Sequence, residues 1–450
     1  MLEKPRPDAE SEPPDPRLAA PRRRNPWWIP PFLGRAPAIE ERFFKILGIV
    51  ALGLFFESYD LSLLTSALKH ISEDLGMAEH ELGFYLGAVR LGGLLAFLLL
   101  PLADRFGRRR MFLASMIGMS VFTLATALSQ NPLQFVAFQI LTRAFLATLS
   151  AVGIVMLAEE FPAAHRGWGV GILGALAAFG HGLGALLFAA IEVVPFGWRS
   201  LYVIGALPLI LLPWFRRELQ ETARFRRHEA ETAGRPGGRN GSLRSLLALA
   251  RGNPRRAALV GGAGMIHALG AISVFQFAAL FVQNEHGWAP WQYSVMLLTS
   301  GGVGIVGNVI AGRLGDRAGR RIVGMAAFTL FPIAGIAFYH GVGWLLPVSF
   351  IAVVFSSSAG DVIVRIFSTE LFPTSQRGAS AAWLTLLQTI GWIAGLWLVG
   401  VGRWAGISLP IMISAVSATV LVAGLLLLLL PETRRRELED LSDDGEPSKA

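Results

Sequence analysis

Asp104-Arg105-Phe106-Gly107-Arg108-Arg109 stands between two long apolar runs, and 212 positions later Asp316-Arg317-Ala318-Gly319-Arg320-Arg321 stands between two more. A second pair keeps the register. Glu159-Glu160-Phe161-Pro162 followed by Arg166-Gly167 returns 211 positions on as Glu370-Leu371-Phe372-Pro373 followed by Arg377-Gly378. A single such match is a moderate signal. Two in one register, each after the second or fourth apolar run of its half, read as an internal duplication.

The apolar runs give the duplication its architecture. A helix needs about 20 mostly apolar residues to cross roughly 30 Å of hydrocarbon. The first half holds such runs at about 43–68, 83–103, 111–129, 133–158, 168–191 and 200–215. The second holds them at about 257–283, 293–315, 322–340, 343–368, 380–402 and 407–430. They are continuously apolar rather than alternating, which selects helices over a barrel. The expected fold is an all-α membrane protein with twelve spans in two six-helix halves, 43–215 and 257–430. An Arg-rich linker, 216–256, joins them. Residues 1–42, with ten of the 25 prolines, and residues 431–450 read as tails, the first of them disordered.

Composition agrees. Of the 450 residues, 53% are hydrophobic and 16% charged, against about 25% charged in an average soluble domain. A soluble enzyme, a disordered chain and a fibre are excluded. With no cysteine, disulfides, zinc–thiolate sites and thiol nucleophiles are excluded as well. The chain contains no GxxxxGK[ST] loop, no HExxH and no GxSxG, so neither an ATP-driven pump nor a membrane hydrolase is indicated, and no metal or cofactor is expected.

The net charge of +8 comes from topology rather than from nucleic-acid binding. If both termini share a side, 34 of the 40 Lys and Arg lie on it, and only Lys69, Arg199 and Arg403 lie opposite. The positive-inside rule then puts both termini and the linker in the cytoplasm of a cell whose plasma (inner) membrane the chain crosses twelve times. The linker's arginines would meet either water or anionic lipid. The chain is expected to act as a monomer.

These motifs resemble the major facilitator superfamily over about residues 43–435. The family's signature between helices two and three matches Asp104 to Arg109, with an echo at Asp316 to Arg321. Phe56-Glu57-Ser58-Tyr59-Asp60, Arg143, Pro431-Glu432-Thr433 and a degraded Glu221-Thr222-Ala223-Arg224-Phe225 are similar to motifs of its proton-coupled sugar and organic-acid porters. The resemblance implies a central cavity between the halves that opens alternately to each side.

The loop motifs read as a conformational latch: Asp104, Arg105, Gly107, Arg108 and Arg109 with Glu159 and Arg166, then Asp316, Arg317, Gly319, Arg320 and Arg321 with Glu370 and Arg377. Helix ends expose backbone charge that such side chains satisfy, and breaking the set should shift the balance of conformations. The bland alternative makes these arginines topology signals only.

Three arginines and several acids lie inside the spans, where a charge costs roughly 2.5–3.5 kcal/mol on insertion scales. Glu57 and Asp60 are three apart, on one helical face, and Arg143 is the best candidate partner. Desolvation and a nearby cation pull a carboxyl's proton affinity in opposite directions, the tension a proton-coupling site requires. The resemblance gives the Asp60–Arg143 pair that role; the alternative is a static pair joining two helices. Arg90 either faces the cavity and holds an anionic substrate or snorkels outward. Asp361 and Arg365, four apart, are an intrahelical pair or part of a gate. Tyr59, Gln276, Asn308, Trp383, Gln388 and Trp392 complete the candidate substrate contacts, against packing as the ordinary use of such residues. His181 and His267 read first as packing histidines, and the Gly180/Gly184 and Gly391/Gly395 pairs as close-approach sites between helices.

The resemblance also bears on substrate. Sugar porters typically carry paired glutamines in helix seven and a Gly-Pro-rich helix ten, and drug antiporters a proline in helix five; none is present here. Glu57-x-x-Asp60 resembles the acidic pair of aromatic-acid–proton symporters, and three intramembrane arginines suit a carboxylate. The expected function is proton-coupled uptake of a small organic acid, with a sugar or neutral metabolite next and an exporter third.

Overall fold

The computed structural model describes residues 26, 28, 29, 36, 37, 39–162, 165–219, 221 and 242–434. The expectations for 1–25, for most of the linker including Thr222 to Phe225, and for 435–450 lie outside the described residues.

Among the described residues, twelve helical segments are long and apolar enough to cross a membrane. They are Glu41–Ser66, Leu82–Ala103, Arg108–Ala127, Pro132–Glu160, Arg166–Ala189 and Trp198–Glu218, then Pro254–Glu285, Pro290–Ala318, Arg320–His340, Leu345–Glu370, Arg377–Trp404 and Leu409–Leu428. We number them spans one to twelve. The bounds follow from local chemistry. Pro132, Pro254 and Pro290 open their helices, where the missing N–H is no loss. The Asn131 side chain accepts the Gln134 amide at 2.9 Å. Gly107 and Gly319, at φ 101° and 108°, make the breaks after spans two and eight. That backbone favours glycine, which is why the repeated motif carries one.

Large apolar side chains such as Leu98, Ile210 and Ile322 are exposed, the outward surface expected where hydrocarbon replaces water. Span seven is the most buried of the twelve and span eight the least. In each half the first span packs on the fifth, through glycines 211 positions apart. A Cβ on Gly180 would sit 1.9 Å from the Phe55 carbonyl oxygen, and one on Gly391 2.2 Å from that of Met265. These contacts account for the Gly180/Gly184 and Gly391/Gly395 pairs.

The halves meet through span two on span eleven and span five on span eight. One group of polar contacts between them lies at the face opposite the termini. Glu79 accepts from Arg403 at 3.0 Å and from Asn284 at 3.1 Å. Beneath them Gly83 lies against the Gly400 backbone, where a Cβ would come within 2.4 Å. Phe188 meets Tyr293 edge to face, with ring centroids 6.2 Å apart. The molecule is held closed at this face.

Candidate functional site

Span one presents Tyr59 and Asp60 in different directions, because adjacent helical residues point about 100° apart. Asp60 faces span four. Its carboxylate lies 3.8 Å from the Arg143 guanidinium, too far for a hydrogen bond, and both residues are buried. Neither Asp60 oxygen has a hydrogen-bond partner among the described residues. The surrounding Gln139 Oε1 and Tyr202 hydroxyl are likewise buried without one. Glu57, half-buried one turn away, lies near Ser150 and Arg143. A desolvated carboxylate facing a guanidinium without a closed hydrogen bond is an incompletely satisfied pair, and buried polar groups left so are costly. The arrangement suits a site that exchanges a proton or an anion.

Arg90 settles one open alternative. It is buried and turned inward, donating to Gln276 Oε1 of span seven at 2.9 Å, with its guanidinium 5.8 Å from the Trp392 ring centroid of span eleven. Gln276 in turn donates to the Leu64 carbonyl at 3.3 Å. Arg90 therefore ties the two halves together at the level of Asp60 and Arg143 rather than snorkelling. Its Nε is buried with no hydrogen-bond partner among the described residues.

A second polar cluster lies within the C-terminal half. Asp361 pairs with Arg365 at 2.6 Å and accepts from Gln388 Nε2 of span eleven at 2.9 Å. The intrahelical pair is present, and Gln388 extends it to a second helix. His267 is buried, its ring tilted against that of Phe328 with centroids 4.8 Å apart, and its Nε2 lies 3.2 Å from the Ser357 hydroxyl, whereas His181 is exposed.

Three expected substrate contacts lie elsewhere. Tyr59 is turned against span six, donating to the Leu201 carbonyl at 2.8 Å, so it anchors a helix. Trp383 donates to the Ala257 carbonyl at 3.0 Å and fixes span eleven to span seven. Asn308 is exposed on span eight, apart from both clusters.

At the terminus face the loop motifs form the same construction twice. Arg108 pairs with Glu159 at 3.4 Å, and Arg320 with both Glu370 and Asp316. Both pairings stay within their own half. The side chain of Asp104 is outside the described residues. Arg105 lies beside the Phe106 ring, Arg317 and Arg166 are exposed, and Arg377 is half-buried. The sequence reading set Glu221 and Glu432 in family-like motifs but not in the latch, and each completes one of the loop motifs. Glu221, just past span six, accepts the backbone N–H groups of Arg108 and Arg109 at 2.9 and 3.1 Å. Glu432, just past span twelve, accepts those of Arg320 and Arg321 at 3.0 and 3.2 Å. Each carboxylate caps a helix N-terminus, satisfying orphan amides and meeting the positive end of the dipole. Arg109 reaches back to the Arg216 and Leu219 carbonyls, and Arg321 to that of Leu428. The signal was legible: Glu432 follows Glu221 by 211 positions, the register of the repeat.

Comparison with known proteins bears on the chain as a whole. The family model described as Major Facilitator Superfamily matches residues 50–307 and 260–449. The chain is 24% identical over 420 residues to a gallate transporter of Pseudomonas putida, covering 87% of this chain and 92% of that one. It is 24% identical over 341 residues to a cis,cis-muconate transport protein of Acinetobacter baylyi, covering 73% and 80%. Among solved structures, a bacterial homolog to the human lysosomal transporter Spinster, inward-facing and unoccupied, superposes with a TM-score of 0.74 at 14% identity. The match covers 92% of this chain and all of that one.

Proposed function

This chain belongs to the major facilitator superfamily, a transporter and not an enzyme, and from that premise we propose that it takes up a small organic acid together with protons. The observation that carries the reading is Asp60 and Arg143, buried 3.8 Å apart with neither carboxylate oxygen hydrogen-bonded, beside Arg90 at the contact between the halves. A proton reaching Asp60 neutralises it and releases the Arg143 guanidinium. Arg90 and Arg143 then offer a carboxylate two charge-assisted donors. Loss of the proton restores the pair. Each ligand thus favours one arrangement of the halves, the differential affinity that coupling requires. The gallate and muconate transporters among its relatives support a carboxylate as cargo.

The distribution of basic residues supports cytoplasmic termini. With that orientation the closed face is the outer one, and the structure is the state that releases cargo inward. Glu57 assists Asp60, and the Asp361–Arg365–Gln388 cluster lies along the C-terminal wall of the path.

The test is uptake of labelled aromatic and aliphatic carboxylates into proteoliposomes, driven by an imposed pH gradient. Accumulation of a carboxylate that collapses with a protonophore supports the reading. Accumulation of neutral sugars alone would overturn the substrate class, and gradient-independent flux would overturn the coupling.

A further inference from the structure

At the closed face the short helix Leu68–Leu75 follows span one and buries Leu68, Ile71, Ser72 and Leu75, the spacing of an amphipathic helix. His70 falls on the opposite, polar side with Lys69, Glu73 and Asp74. Glu73 and Asp74 are exposed there, but His70 is half-buried, because Phe188 at the end of span five lies against it. The two rings meet edge to face with centroids 5.9 Å apart. Phe188 carries the row across the junction of the halves to Tyr293 of span eight, at 6.2 Å. Tyr293 carries it on to Phe350 of span ten, at 6.4 Å. These three rings are fully buried, and the helix Leu68–Leu75 also packs on span seven. An imidazole of the N-terminal half is thus the first ring of a row that ends inside the C-terminal half.

Charge on that imidazole works against closure. His70 Nδ1 is buried without a hydrogen-bond partner among the described residues, and a charged ring covered by apolar surface loses hydration that a phenyl edge does not replace. Burial holds the imidazole below its ordinary proton affinity, outweighing the pull of Glu73 on its own helix and Glu192 past span five, while Lys69 adds to the lowering. Asp74 is engaged by Arg199 at 2.8 Å. From the other half, span eight brings the phenol of Tyr293, and span seven ends in Glu285 and His286, the latter ring against Phe281. Parting the halves withdraws Tyr293 and span seven from this row and lets water reach His70.

We propose that His70 is the pH sensor of the closure, its protonation opening the halves at this face. The ring holds a proton better when hydrated than when covered, so closing releases one. Closure is therefore fully favoured above about pH 6.5 and loses ground below it. With the termini cytoplasmic, as proposed above, the pH sensed is that of the outer medium, and external acid turns the site toward the side that supplies the protons.

The purified full chain in detergent tests this without cargo or gradient, and with both faces at one pH, so the result does not depend on the orientation or the transport reading. Maleimide labelling of Ser66→Cys, at a residue buried beneath the closure, is followed against pH and normalised to free cysteine, which cancels the reagent's own pH dependence. Between about pH 7.5 and about pH 5.5 the normalised rate should rise severalfold, by no more than about tenfold for a single proton. Adding His70→Gln or His70→Phe, the latter keeping a ring against Phe188, should leave the rate flat across that range. A merely structural role would move the rate at every pH alike and leave its rise intact. No rise in Ser66→Cys alone would overturn the proposal, and so would an equal rise in both His70 variants, which would assign the response to another group.

Discussion

Arg90 is the residue that the proposed carboxylate site and the junction of the halves have in common. It is the guanidinium that spans two, seven and eleven share, and its fork suits a carboxylate better than a point charge does. Hydrogen bonds to charged groups contribute about 1.5–3 kcal/mol, so Arg90→Lys should raise the KM for a transported carboxylate about tenfold to a hundredfold. Concentration-dependent uptake measures this, and an unchanged KM would remove Arg90 from the substrate site. Tyr59 and Asp60 show why residue roles were only partly legible. Both are in the motif, but helix rotation sends one to span six and the other to span four, and rotation is set by packing partners distant in sequence. His70, outside the spans, carries a pH dependence. Burial against Phe188 pushes its imidazole below the ordinary value. As pH falls below about 6.5 the unfolded chain takes the proton more readily, so stability declines there and is unaffected well above it. His70→Gln should flatten the fall of the melting midpoint on acidification; an unchanged slope would show that His70 does not contribute.

At the scale of elements, the loop motifs are capped helix starts, on which the expected latch would be built. Glu221 and Glu432 each hold two amides at the start of spans three and nine. Losing a helix N-terminal cap costs about 1 kcal/mol. Glu221→Gln and Glu432→Gln should each lower stability by about that amount, and the double variant by the sum, because distant sites act independently. Thermal unfolding of the three variants checks it, and strong non-additivity would mean the caps are coupled across the halves. The spans themselves were readable to within a few residues, since bilayer thickness leaves little freedom. The glycine contacts were readable as close-approach sites but not as to partner. Gly180 and Gly391 reveal theirs, spans one and seven, only when the backbones are placed.

At the scale of the molecule, the halves are hinged shut at the face opposite the termini by Glu79, Arg403 and Asn284, with Gly83 against Gly400. Valine at position 83 leaves no room for that contact. Gly83→Val should therefore shift the population toward the state open at that face. The chain has no cysteine, so a single Ser66→Cys, buried beneath the closure, reports it. Labelling by a membrane-impermeant maleimide should be slow alone and faster with Gly83→Val. Equal rates would show that these glycines do not govern closure. The duplication made the two-half architecture legible, because a register of 211 or 212 survives as text. Which face is closed was not, since that depends on contacts between halves that share no local pattern.

The central claim is that Asp60 carries the coupled proton. It is tested most directly by comparing wild-type and Asp60→Asn protein in proteoliposomes under two conditions, pH-gradient-driven accumulation and carboxylate exchange at equal pH. The account predicts that Asp60→Asn abolishes accumulation while exchange persists, because the cargo site remains and only the proton carrier is lost. Undiminished accumulation by Asp60→Asn would contradict it.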